Sequence, residues 1–313
     1  MTKPYDIIAF GDACVDLILR DDDVAPRFGQ VEKIVADYEL VMGGSCCIFT
    51  AQAAKLGLKT ALLGRVGDDA FGQLILDTLR SAGVDTRFVT LDKTRKTGLT
   101  LHLVQGDDRA MLTHFGSLNA LTPDDVTDEF LESARHLHYG SLYLHTGLLP
   151  HWIHILERAK KHGLSISLDT NWDPSESWDV GLAAAAPYVN ILLPNEQEAL
   201  HLSQQSELEK AIQALRQQFS LLAVKLGADG AMAFHQQAEY FQAVQAADVG
   251  GDGIGAGDSF DAGFVAGWLR GLPIDSCLSI ACQCGRAVAG KMGGTAGQPS
   301  RAAIPELRAV SAG

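Results

Sequence analysis

The run Asp248-Val249-Gly250-Gly251-Asp252-Gly253-Ile254-Gly255-Ala256-Gly257-Asp258-Ser259-Phe260 sets small residues and carboxylates directly ahead of an apolar segment, 259–269, that reads as a helix. Without bulky side chains, consecutive backbone N–H groups can face outward at the amino end of such a helix. With the helix dipole they form an anion site of the kind that holds phosphate. Asp258 falls at the start of the helix, where a carboxylate can face that anion. Taken alone, it is better accounted for as an N-cap, worth about 1 kcal/mol.

Other chemistry-bearing patterns are weaker. Gly285 to Lys291 begins like a P-loop, but Met292 stands at the Ser/Thr position and no strand leads into it. Gly251-x-Gly253-x-x-Ala256 meets the loose dinucleotide pattern, yet lies near the carboxyl end and sets Asp258 beside a would-be pyrophosphate. His151-x-x-His154, with His145 nearby, lacks the HExxH pattern or the acidic ligand of a zinc site. Cys46-Cys47 and Cys282-x-Cys284 lack C-x-x-C spacing and sit in apolar helical segments, where thiols act as small hydrophobes. Asp21-Asp22-Asp23 reads as a solvated loop. His102 and His114 fall on strand-like segments, where substrate contact and a surface position stay equally open.

Strands alternating with amphipathic helices supply the frame. Strand patterns cover 6–10, 61–66, 164–168, 189–193, 221–226 and 231–234, and helical ones 45–56, 71–82, 151–162, 207–219, 259–269 and 274–289. That alternation implies βαβ units: an α/β class with a doubly wound, mainly parallel sheet covered by helices on both faces. Two stretches, about 15–40 and 88–115, hold β-type runs with no long helix, and Gly106-Asp107-Asp108 is a good hairpin turn within the second. They read either as edge decoration or as a small β-sheet lid over a site at the strand ends.

Composition narrows the function classes. With 38 acidic against 25 basic residues the net charge is −13 and the pI about 5.1, which argues against nucleic acid as a partner. Hydrophobic residues make up 47% and charged residues 20% of the 313, enough to build a core. No apolar run reaches the roughly 18–20 residues of a membrane span. The amino terminus lacks a signal-peptide layout and six cysteines are too sparse for a disulfide framework, so the cytoplasm is the expected location.

Asp252-Gly253-Ile254-Gly255-Ala256-Gly257-Asp258 resembles the Asp-x-x-Gly-Ala-Gly-Asp signature of the ribokinase-like, phosphofructokinase-B type carbohydrate kinases. Companion segments follow in that family's order: Gly43-Gly44-Ser45, Gly64-Arg65-Val66-Gly67-Asp68, Thr97-Gly98, Asp169-Thr170-Asn171, Asn195-Glu196-Gln197-Glu198 and Lys225-Leu226-Gly227-Ala228-Asp229-Gly230. The resemblance covers nearly the whole chain and implies one ribokinase-like domain with a β-sheet lid. It implies that Asp258 is the general base taking the proton of an acceptor hydroxyl as it attacks the γ-phosphate of ATP. Gly255, Ala256 and Gly257 would supply the N–H groups of an anion hole. Asn195 and Glu198 would organise Mg²⁺ through water, although the pair also reads as a helix capping box. Lys225, Gly227, Gly230, Asp252 and Cys282 would border the nucleotide, and Asp16, Gly43, Gly44, Ile48 and Asn171 the acceptor. A solvent-facing Lys225 stays equally open, and Asp12 fits a turn.

Several positions depart from the family pattern. Ile48 replaces an asparagine that contacts acceptor hydroxyls, and Asp173 stands where kinases of sugar acids carry arginine, which counts against an anionic acceptor. Cys282 takes the place of an asparagine near the adenine. Gly253-Ile254 replaces Thr-Thr, so a monovalent cation such as K⁺ stays open as a cofactor. The expected activity is ATP-dependent phosphorylation of a small sugar or sugar-like molecule. A nucleoside kinase of the same fold is the alternative, followed by a non-catalytic sugar- or nucleotide-binding protein. Exposed lid strands further imply a homodimer formed lid to lid.

Overall fold

The computed structural model describes residues 3–106, 108–244 and 251–308. Asp107 of the hairpin turn and Asp248, Val249 and Gly250 of the glycine-rich run lie outside the described residues. In chain order the first half forms β1 (Tyr5–Phe10), β2 (Cys14–Arg20), β3 (Asp37–Gly43), α1 (Ser45–Lys55), β4 (Thr60–Gly67), α2 (Ala70–Ser81), β5 (Val89–Asp92), β6 (Gly98–Gln105), β7 (Asp108–His114), α3 (Asp128–Glu132) and β8 (Ala134–Tyr139). The second half forms α4 (Trp152–Lys161), β9 (Ser165–Leu168), α5 (Leu182–Ala185), β10 (Ile191–Leu192), α6 (Glu196–Ser203), α7 (Leu208–Arg216), β11 (Leu221–Lys225), β12 (Ala231–His235), β13 (Ala238–Gln242), α8 (Ala256–Trp268), α9 (Ile274–Ala289) and α10 (Pro305–Arg308).

The large sheet runs β13-β12-β11-β10-β9-β8-β1-β4-β5. It is parallel from β5 to β11 and antiparallel at β12 and β13. A parallel sheet with both faces covered favours continuous apolar strands, and β1 is one: Ile7, Ile8, Ala9 and Phe10 have no accessible surface. The chain leaves β1 for β4 on one side and later returns to β8 on the other, so the strand order reverses between β1 and β8. Crevices outside the carboxyl ends of strands at such a reversal are where open α/β sheets bind ligands.

β8 carries Arg135, His136 and His138 and gives no apolar strand pattern, yet lies between β1 and β9. Ser165 and Ser167 of β9 satisfy the two imidazoles at 2.8 Å, and His138 stacks on Phe49 with ring centroids 3.6 Å apart. Burial lowers the His136 pKa to about 3, with Lys160 adding to the effect, so the ring is a neutral core group.

A second sheet, ordered β3-β2-β6-β7, is built from the two stretches that lack long helices. Of the 88–115 stretch, however, Val89–Asp92 pairs in parallel with β4 in the large sheet, and the small sheet begins at Gly98. The hairpin reading agrees with antiparallel β6 and β7, in which Gln105 faces Asp108.

Helix α8 is apolar nearly all round because it packs against the sheet, α1 and α9 together. A Cβ at Gly263 would come within 2.9 Å of the Ala281 Cα, so glycine lets α8 and α9 approach closely. Among the described residues no helix is long and apolar enough to cross a membrane.

Candidate active site

Helix α8 starts at Ala256, earlier than the 259 expected from its apolar run, because small residues there propagate the helix once Gly255 has turned the chain. Gly255 is the N-cap at φ 72°, and its missing Cβ would lie 2.6 Å from the Gly294 Cα. Asp258 is therefore the third helical residue and not the cap, and its carboxylate makes no capping bond. The first-turn N–H groups of an α-helix have no intrahelical acceptor and point along its axis. The preceding loop is held by Asp252, whose carboxylate accepts the Ile254 N–H at 2.9 Å and the Gly293 N–H at 2.8 Å. Ile48, expected to face the acceptor, is only 2% exposed and packs beneath Gly255 and Gly294. That contact makes it a support of the loop.

The carboxyl ends of five parallel strands lead into the residues around Asp258. After β1, Asp12 does more than fill a turn. Its carboxylate accepts the N–H groups of Ser45 at 2.7 Å and Cys46 at 3.1 Å, and the Ser141 hydroxyl at 3.1 Å. The N-cap of α1 is Gly44 at φ 88°, where a Cβ would strike the Asp12 carbonyl at 2.4 Å. Asp12 thus caps from a neighbouring strand a helix whose own N-cap residue has no side chain. Gly43 likewise leaves room for Asp16, whose carboxylate atoms lie 2.3–2.4 Å from where a Cβ would be. His102 Nε2 of β6 approaches Asp16 Oδ1 to 3.2 Å in a buried pair. Asn171, at φ 58°, directs its amide to the hydroxyls of Ser45 and Ser141, 3.4 and 3.3 Å away.

After β9, β10 and β11 come Asp169, Asn195 and Lys225. Lys225 does not face solvent: its side chain is 12% exposed, and Nζ lies 3.1 and 3.2 Å from the Asp261 carboxylate oxygens and 3.6 Å from Asp169. Burial alone would favour its neutral form, but Asp169, Asp261 and Glu198 outweigh that and keep it charged. Asn195 and Glu198 form the capping box of α6, each side chain accepting the other's backbone N–H at 2.9 Å. Burial first, then Asp169, pushes the Glu198 pKa up to about 7 against Lys225 and the Asn195 N–H. Asp258 also rises to about 7, through burial and then the charges of Asp169 and Asp12, with Lys225 and the Ser45 hydroxyl opposing. A carboxyl poised near neutrality in the first turn of α8 suits proton abstraction.

The pfkB carbohydrate kinase profile matches residues 5–301. The chain belongs to that family. It is 26% identical over 291 residues to the 5-dehydro-2-deoxygluconokinase of Geobacillus thermodenitrificans, covering 88% of this chain and 85% of the relative. To an ATP-dependent ribose-1-phosphate kinase of Halopiger xanaduensis it is 30% identical over 293 residues, covering 92% and 93%. Arabidopsis thaliana ribokinase, solved with ribose and ATP, shares the fold at a TM-score of 0.79 and 23% identity, over 98% of this chain and 99% of that one. The protein is thus a carbohydrate kinase with a ribokinase-like fold.

The remaining expected positions of this pfkB kinase fall elsewhere. Gly230, at φ 109°, would place a Cβ 2.0 Å from the Gln242 carbonyl, toward which the buried Cys282 thiol also points at 3.9 Å. Gly227 is exposed at φ 59° in the turn after β11. Asp173 folds into its own loop, accepting the Ser175 and Trp178 N–H groups at 2.8 Å and two serine hydroxyls. Against the effect of burial, these donors hold the carboxyl below the usual carboxylate range, so Asp173 stays charged while its oxygens are turned into its own loop. Asp12, Cys46 and His145 bring ligand-type atoms within 4.8 Å of one another, but Asp12 is taken up by capping and the Cys46 thiol donates to the Phe10 carbonyl. Asp261 was missed from sequence, although a carboxylate three residues beyond Asp258 in an apolar helix was its signal.

Proposed function

We propose that the protein phosphorylates a hydroxyl of a small sugar or sugar-like acceptor, using ATP with Mg²⁺. Asp258 takes the hydroxyl proton, and the N–H groups of Gly255, Ala256 and Gly257 receive the charge developing on the transferred phosphoryl group. The observation that carries this reading is the position of Asp258. It is partly buried, has a pKa near 7, and sits in the first turn of a helix whose N-cap glycine is in the left-handed region. Mg²⁺, when bound, would neutralise phosphate charge; Asn195 and Glu198 are the oxygen-bearing pair to hold its waters, and Glu198 has the buried carboxylate that suits a hard cation. Lys225, Gly227, Gly230, Asp252 and Cys282 shape the nucleotide side. Asp16, Gly43, Gly44 and Asn171 read the acceptor, with Ile48 acting through the loop it supports.

Relatives named for 5-dehydro-2-deoxygluconate and ribose 1-phosphate favour an acceptor bearing an anionic group. The test is ADP release with ATP and Mg²⁺ over neutral sugars, sugar acids, sugar phosphates and nucleosides, with and without K⁺. Acceptor-dependent turnover that collapses in Asp258→Asn supports the proposal; a panel-wide absence of both turnover and ATP binding refutes it. Nucleosides as the best acceptors would favour the nucleoside-kinase alternative. The small sheet leaves Tyr38, Met111 and Leu112 exposed, and β3 and β7 at its edges. A lid-to-lid homodimer would cover them, and a monomeric mass in solution would exclude it.

A further inference from the structure

Strand β7 is exposed along its whole length, yet one of its side chains turns toward the phosphate loop. Arg109 Nη1 donates to the Asp252 carbonyl at 2.8 Å and lies 3.7 Å from where a Cβ on Gly253 would be. Arg109 pairs with Val104, and Val104 with Arg20, so the three share one face of the small sheet. Arg20 Nη2 donates to the Gly251 carbonyl at 2.8 Å, and Ile18 and Val104 pack on Ile254. The small sheet is thereby seated on the residues immediately ahead of Gly255.

A guanidinium has five donors in a flat fork matched to phosphate oxygens, and a single bond to a neutral carbonyl uses one of them. The surroundings of Asp258 are short of positive charge. Asp12, Asp169, Asp261 and Glu198 gather there, and Lys225 is engaged by Asp261 and Asp169. A nucleotide triphosphate entering this basin meets like charge that the N–H cradle and one metal ion must offset. Arg20 and Arg109 are the two cations that the small sheet carries to the loop, and Arg109 is the one beside Gly253, nearer to Gly255.

We infer that Arg109 binds the terminal phosphate of the nucleotide, exchanging the Asp252 carbonyl for phosphate oxygens as the small sheet settles over the bound triphosphate. This rests on the reading of the site as an ATP-dependent kinase. The test is calorimetric binding of ADP and of the non-hydrolysable analogue AMP-PNP, each with Mg²⁺, to the wild type, Arg109→Gln and Arg109→Lys, with melting curves to check folding. Losing a charge-assisted bond to the terminal phosphate should weaken AMP-PNP binding by about tenfold in Arg109→Gln, with ADP changed by less than about twofold and lysine restoring part of the loss. Unchanged AMP-PNP affinity overturns the inference. So does an equal loss for both nucleotides, which would assign Arg109 to holding the loop alone. If the wild type binds neither nucleotide, the kinase reading itself fails and takes this inference with it.

Discussion

Replacing Asp258 by asparagine keeps the shape of the side chain and removes one charge from a group that includes Asp169 and Asp12. Burial, then those two charges, lifts its pKa from an ordinary 3.8 to about 7. A carboxyl that ionises less readily folded than unfolded costs stability as pH rises from the ordinary to the raised value, and the cost is complete above the raised one. The gap corresponds to about 4 kcal/mol near pH 8 and about 1.6 kcal/mol near pH 5. Solvent reaching this partly buried side chain makes both figures upper bounds. Asparagine, neutral throughout, recovers that cost, so the variant should melt up to about 6 °C higher than wild type at pH 8 and about 2 °C higher at pH 5. Its turnover should fall on the order of 100- to 10,000-fold, because no base remains. Wild-type turnover should itself climb as pH passes about 7, where Asp258 becomes ionised. Melting curves at the two pH values and ADP release together test this. A variant that melts below wild type at pH 8, or gains equally at both pH values, refutes the electrostatic account. Turnover within about tenfold of wild type removes Asp258 from the chemistry.

Lys225→Met should destabilise the fold by about 3–5 kcal/mol, because Asp261 and Asp169 lose their shared cation, and adding Asp261→Asn should restore part of it in denaturant titrations. Equal stability of Lys225→Met and wild type would mean the ion pair contributes nothing. In Glu198→Gln the helix cap should survive, since glutamine also accepts the Asn195 N–H, while the Mg²⁺ concentration for half-maximal turnover rises by about tenfold. A magnesium titration that overlays on wild type would detach Glu198 from the metal. Gly255→Ala forces a Cβ to 2.6 Å from the Gly294 Cα at φ 72°, so nucleotide turnover should be lost together with stability. Full activity in that variant would show that the loop tolerates another shape.

Much of the frame was legible because its signals are local. Apolar runs bounded by glycine marked β1, β4 and α1, and α9 runs over 274–289 as its pattern indicated. β8 was not legible, because Arg135, His136 and His138 have the polarity of a surface segment. The serines that satisfy the two imidazoles lie on a strand about thirty residues away. Val89–Asp92 was grouped with the small sheet for a related reason: a short strand carries no mark of the sheet it joins.

The sequence by itself determined the fold class, the glycine-rich approach to α8 and the chemistry-bearing residue types, since these depend on composition and spacing along one segment. The tertiary structure decided what each residue does. It set Asp258 inside the first turn of α8 and not at its cap, made Asp12 the cap of α1, and packed Ile48 beneath Gly255 and Gly294. It also withdrew Lys225 from solvent to the carboxylates of Asp169, just after β9, and Asp261 on α8. Charges and hydrogen bonds act through a few ångströms of space, and the residues involved here are separated by up to about two hundred positions in the chain, so no local pattern can anticipate them.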